Sequence, residues 1–271
     1  MIKIIDIDNL FEGYISDFVY KNIGKLKPEE IENQMPLLYE KFGRESLSEL
    51  DGKTPETYYR DFSANELISA LKEHIESGVS VSDFLCEALT ELDTEKELLT
   101  ALESEENEEL IMYIMNILVD KKSEKCFEKF LRFIVWDYSE SISELATEFL
   151  KENAEKVKEE TLEYYADATK KQREYLVEIL SCVKDDDRVF EILMKEFALN
   201  QDNIPLYASY LSKYGDSRAL PFLLTAIEND KLNYQEFEEL QFAIESLGGS
   251  YDKKRDFSND KIYKKIKGEK K

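Results

Sequence analysis

Asp186-Asp187-Arg188-Val189-Phe190 and Asp216-Ser217-Arg218-Ala219-Leu220 share an Asp-x-Arg opening, 30 residues apart. In each, the aspartate is a good N-cap, and the arginine falls in the first turn of the helix that follows. From there it can reach a carboxylate or carbonyl of a neighbouring unit and fix how the two stack. Further candidate helix starts lie upstream at Ser63, Asp93, Ser123 and Asn153. The six starts are separated by 30, 30, 30, 33 and 30 residues. A fixed period of this length marks a repeat architecture.

Each period reads as two short helices joined by a polar turn. First helices offer Leu98, Leu99 and Leu102, then Phe127, Phe130, Leu131 and Ile134, then Leu220, Leu223, Leu224 and Ile227. Second helices offer Ile111, Ile114, Met115 and Leu118, then Ile142, Leu145 and Phe149, then Phe237, Leu240, Ile244 and Leu247. These steps of three and four put the apolar groups on one helical face. The first repeat also carries start and stop signals. Ser63 and Glu66 form a capping-box pattern, Leu67, Ile68, Leu71 and Ile75 form the stripe, and Gly78 ends the helix. A single hairpin cannot bury its apolar side, but stacked neighbours can. The predicted fold is an all-α, right-handed α-solenoid (α-α superhelix) of about six helical hairpins with an N-terminal helical cap.

The stretch from Tyr210 to Glu228, YLSKYGDSRALPFLLTAIE, resembles the HEAT-like repeat of the phycobilisome-lyase type. In that family one helix ends in Leu-Gly-Asp and the next begins with Asp-x-Arg-Ala-x-x-x-Leu. The resemblance covers roughly 186–249 and implies partner binding through a concave face. Relatives with HEAT-like repeats include chromophore lyases and DNA glycosylases. A bilin lyase needs a family-specific site that is not found in this sequence.

Outside the periodic region the sequence changes character. Residues 1–62 read as a capping region: a helix from about Asn9 to Ile23, another from Pro28 to about Phe42 interrupted at Pro36, and a third after Pro55. The Ile2-Lys-Ile-Ile-Asp-Ile7 run is either a short strand or the lead into the first helix. Residues 250–271 hold nine basic and four acidic side chains, whereas 1–249 stands at −28. The predicted organisation is a cap (1–62), a repeat region (63–249) and a basic tail (250–271). The tail is read as solvated, with Ile262, Tyr263 and Ile266 able to dock a helical turn or two.

A formal charge of −23 on 271 residues repels phosphate backbones, which argues against nucleic-acid, anionic-membrane and glycosylase functions. No apolar run approaches a membrane span, and the start is unlike a signal peptide. Cys86, Cys126 and Cys182 are odd in number and far apart, so reduced thiols in a cytoplasmic protein are expected. His74, the sole histidine, is expected to be a partly buried helix residue rather than a base. The acidic runs 103–109 and 185–187 are expected to be polar turns feeding helix N-termini rather than cation sites. Most tyrosines, among them Tyr207 and Tyr214, are expected in the core, with Trp136 packed against its turn.

No catalytic motif and no cofactor or metal signature is present. The leading expectation is therefore a non-enzymatic scaffold that binds a basic protein or peptide on an acidic concave face. The alternative is an acidic inhibitor or immunity-type protein imitating nucleic-acid charge. On the last second helix, Glu238, Gln241 and Glu245 lie away from the apolar stripe and are the candidate partner-binding residues. Aligning Tyr214-Gly215 on Leu247-Gly248 turns Ile204, Tyr207 and Leu211 inward. It places Ala208 and Ser212 beside that groove.

Overall fold

The computed structural model describes residues 2–266, which are helical with no strand among them. The chain packs as two compact units, Met1–Cys126 and Phe127–Lys271.

The first unit opens with α1 (Ile7–Asn22), α2 (Pro28–Glu32), α3 (Met35–Gly43) and the short α4 (Pro55–Tyr58). Ile2, Ile5 and Ile7 are buried, so the opening run is the lead into α1 and not a strand. Pro36 falls in the first turn of α3, where its missing N–H costs nothing, so the region predicted as one interrupted helix is two. Next come α5 (Ala64–Ser77), α6 (Asp83–Glu91), α7 (Glu95–Ser104) and α8 (Glu108–Asp120). α5 packs on α6 and α7 on α8, and like packs on like as α5 with α7 and α6 with α8. The capping box forms: the Ser63 N–H donates to Glu66 Oε2 at 3.0 Å. Gly78 closes α5 at φ +64°, a conformation that a Cβ disfavours.

The buried stripe of α5 is Leu67, Ala70, Leu71 and His74. His74 is thus buried completely, more deeply than its sequence context implied, while Ile68 and Ile75 are only half-buried. Across the unit, Lys121 at the end of α8 donates to the carbonyls of Thr90 (2.7 Å) and Leu92 (2.6 Å). It caps the C-terminus of α6, where the helix dipole favours a cation.

The second unit comprises α9 (Phe127–Val135), α10 (Glu140–Glu152), α11 (Ala154–Asp167), α12 (Lys170–Leu180), α13 (Asp187–Leu199), α14 (Ile204–Tyr214), α15 (Leu220–Ala226), α16 (Tyr234–Ser246) and α17 (Lys261–Ile266). Successive helices pair as α9–α10, α11–α12, α13–α14 and α15–α16, while α10 packs on α12 and α14 on α16. Both Asp-x-Arg openings act as anticipated. Asp186 and Asp216 each cap the helical turn they precede by accepting from the N–H of Arg188 and Arg218. Arg188 reaches Glu159 on α11 with both Nη atoms, at 2.9 and 2.8 Å, and Arg218 reaches Asp187 at 2.7 Å. The motif is a stitch between consecutive hairpins. Tyr214 adds to it, its hydroxyl accepting from the Asp186 N–H (2.9 Å) and donating to the Asp186 carbonyl (2.8 Å).

Two placements differ from expectation. Trp136 lies just beyond α9 and is 60% exposed; its ring faces Lys129 and Arg132 at 5.5 and 5.9 Å rather than packing against the turn. Asp137, at φ +50°, turns the chain away directly after it. The tail is also not simply solvated. Arg255 lies over Phe237 (5.0 Å) and donates to the carbonyls of Ile227 (2.9 Å) and Asn229 (2.8 Å), capping α15. Phe257 and Tyr263 meet Tyr234 edge-on at 5.4 and 4.9 Å. Ile262 and Tyr263 are half-buried and Ile266 is exposed. The last five lysine-rich positions of the tail lie outside the described residues. No helix among the described residues is long and apolar enough to cross a membrane.

Candidate functional site

Exposed carboxylates recur at every fourth position on helices of both units, on second helices such as α6 and α10 and also on the first helix α11, as Glu155, Glu159 and Glu163. In the first unit, Asp83, Glu87 and Glu91 occur at every fourth position of α6, which puts them on one exposed face. With Cys86, Thr90 and Asp120 they line a cleft of about 500 Å³. Tyr39 donates to Asp83 at 3.4 Å and Arg60 pairs with Glu91 at 2.7 Å, whereas Glu87 has no ion pair among the described residues. Partial burial, then the charges of Asp83, Glu91 and Glu56, raise the Glu87 pKa above the ordinary glutamate value, with Arg60 opposing. Burial, then Asp83, Asp120 and Glu87, push the Cys86 thiol up to about 12. Such a shift disfavours the thiolate, the nucleophilic form of cysteine. His74 does not activate it. Its Nδ1 donates to the Ser80 carbonyl at 2.8 Å, and its buried Nε2 bonds to nothing among the described residues.

The second unit repeats the pattern. Glu140, Glu144 and Glu148 are exposed along one face of α10, and Glu174 and Glu178 follow on α12. Lys151 joins the two helices through Glu148 (2.8 Å) and Glu178 (2.6 Å), leaving Glu140, Glu144 and Glu174 without an ion pair among the described residues. Tyr175 lies within their field: burial and then Glu140 raise its pKa, with Glu144 adding and Lys171 opposing. Burial, then Glu178, raise Tyr210 on α14 well above the phenol range. One carboxylate is a core group. Glu196 is buried and accepts from Tyr165 Oη (2.6 Å) and Asn200 Nδ2 (2.9 Å), while the buried Arg173 Nε stands at 3.8 Å, too far for a hydrogen bond and with no other partner among the described residues.

The residues predicted from sequence all lie on α16. Glu238 and Glu245 are exposed and Gln241 is half-buried. Gln241 Nε2 donates to Glu245 Oε1 at 3.2 Å. Glu238 and Gln241 line a cleft of about 460 Å³ whose other wall is the tail, including Tyr251, Lys254 and Arg255. The basic residues nearest this acidic face therefore belong to the chain itself. Phe237, Leu240, Ile244 and Leu247 form the buried stripe, and Ile204, Tyr207 and Leu211 turn inward on α14. Ala208 does not lie beside the groove; it is fully buried in the core. Ser212 is half-buried. The ladders on α6 and α10 escaped the sequence reading because carboxylates abound, although their spacing of four was visible.

Among the described residues no group of three or more His, Cys, Asp or Glu side chains could hold a metal ion. The cysteines are free. No family model matches the chain, and neither curated proteins nor solved structures yield a match.

Proposed function

We propose that the chain is a non-enzymatic interaction scaffold, built as a HEAT-like α-solenoid over 63–249 behind a helical cap, that binds a basic protein or peptide through the carboxylate-bearing faces of its second helices. The observation that carries this reading is the pair of ladders, Asp83-Glu87-Glu91 and Glu140-Glu144-Glu148. Like charges four apart on a helix each cost about 0.2–0.5 kcal/mol, and Glu87, Glu140 and Glu144 form no ion pair among the described residues, so Arg60 and Lys171 offset that cost only through space. A basic partner would relieve the repulsion on binding, and the field would speed its encounter at low salt.

The test is capture of partners from native lysate at low salt by the wild type and by variants carrying Glu87→Lys, or Glu140→Lys with Glu144→Lys. Recovery of a basic protein that weakens in the variants and at high salt supports the reading. Equal recovery by wild type and variants removes its basis. The ladders also favour a second reading, an acidic inhibitor imitating nucleic-acid charge, since their carboxylates recur about every 6 Å along the helix. That reading requires the captured protein to bind nucleic acid and to lose that activity when the chain is added.

A further inference from the structure

The last hairpin of the second unit surrounds one guanidinium with groups suited to that cation. α15 ends at Ala226, and the carbonyls of Ile227 and Asn229 follow at the negative end of its dipole. Arg255 Nη2 donates to the Ile227 carbonyl at 2.9 Å, and Nη1 donates to the Asn229 carbonyl at 2.8 Å. The same guanidinium lies 5.0 Å from the centre of the buried Phe237 ring on α16. A planar cation with its donors in a rigid fork can serve two carbonyls and a ring face together, whereas a lysine ammonium is a compact point charge. Two residues on, Phe257 packs against Phe237 at 5.2 Å and Tyr234 at 5.4 Å. The end of α15 and the first turn of α16 thus form a socket for an arginine and an aromatic ring two positions later.

The segment seated there is held lightly. No residue after Leu247 is buried among the described residues. No backbone group of residues 250–260 bonds to the hairpins among the described residues, so side chains make the attachment. Lys253 pairs with Glu228 at 2.5 Å, but both side chains are largely in water. A cleft of about 460 Å³ stays open between the tail and α16, with Glu238 and Gln241 in its wall. Sealing the end of a repeat array would bury apolar side chains. This segment buries none.

We propose that the α15–α16 end is a recognition socket for an arginine followed two residues later by an aromatic side chain, and that residues 250–266 occupy it as a displaceable, self-inhibiting ligand. A partner segment of that chemistry must expel the tail before it can bind. The tail has the advantage of its tether, which holds it at an effective concentration of about millimolar. Its competition with a basic partner rests on the proposed function; the socket itself does not.

The probe is a fluorescent peptide with the sequence of residues 250–266, titrated by anisotropy into the full chain. Arg255→Ala with Phe257→Ala empties the socket, and amide exchange over 250–266 should become faster while the hairpins stay protected. The emptied chain is expected to bind the peptide at least about tenfold more tightly than wild type, because the wild-type tail competes. A peptide carrying Arg255→Lys should bind the emptied chain at least about tenfold more weakly than the unaltered peptide. Equal binding by wild type and emptied chain, equal binding of the lysine peptide, or unchanged exchange over 250–266 overturns the inference. Capture from lysate separates it from the proposed function, since the emptied chain should recover more of a basic protein than wild type does. Equal recovery overturns the self-inhibition and leaves the proposed function standing. Recovery of none, with the peptide bound as expected, fails the proposed function and supports the socket.

Discussion

Glu87 shows how a single carboxylate links charge to stability. Its pKa lies above the ordinary glutamate value because partial burial and two ladder neighbours oppose its ionised form. The folded chain therefore binds that proton more tightly than the unfolded chain, and the stability it contributes at low pH is lost as pH rises past about 4. Glu87→Gln is expected to raise stability at pH 7 by about 0.5 kcal/mol, with the gain vanishing toward pH 4; thermal melts at the two pH values check this. Asp186 has the opposite sign. Arg188 first, with Lys158 and the Arg188 N–H, holds its carboxyl well below the usual range against the pull of burial. Its contribution is complete above the unfolded value of about 4 and fades as pH falls below it. Asp186→Ala should cost about 1 kcal/mol at pH 7 through the lost cap, and the deficit against wild type should shrink in acid. A deficit constant from pH 7 to pH 2 would detach the cap from its charge.

Helix starts were the most legible elements, because their signals are local. Ser63, Asn153, Asp186 and Asp216 each stand immediately before a helix or helical turn, whereas Asp93 falls one residue before the Thr94 N-cap of α7 and Ser123 four residues before α9; the Arg188 and Arg218 stitches follow from the Asp-x-Arg spelling. What depends on tertiary packing was less legible. The burial of Ala208 and the exposure of Trp136 are settled by what faces them, not by their position in a stripe. Glu238, Gln241 and Glu245 were placed on the polar side of α16 by periodicity, but nothing local announced that Arg255 would fold the tail over two of them. That contact has a direct test. Arg255→Ala removes two charge-assisted hydrogen bonds to the end of α15 and should speed amide exchange over 250–266 at least about tenfold, with the helices of the hairpins unchanged. Glu238→Lys with Glu245→Lys, by contrast, is expected to shift thermal stability by less than about 0.5 kcal/mol while weakening a basic partner. Loss of folding there would make these carboxylates structural.

For the whole molecule, a charge of −23 sets the response to salt. Screening weakens the ion pairs as well as the self-repulsion, but most of the pairs are exposed and each is worth little. The melting temperature is therefore expected to rise between about 10 mM and 500 mM NaCl, where the Debye length shrinks from about 30 Å to a few Å. A fall would mean that the stitches outweigh the net charge. The stitches carry one more consequence, for how the second unit is made. Arg188 finds Glu159 29 residues behind it, and Arg218 finds Asp187 31 residues behind. Each anchor has already been synthesised when its arginine leaves the ribosome. At about 5–20 residues per second a new hairpin arrives every few seconds, far more slowly than a helix forms. The growing chain then leaves little more than one hairpin of apolar surface waiting at any moment, which limits what the nascent protein offers to chaperones and to aggregation.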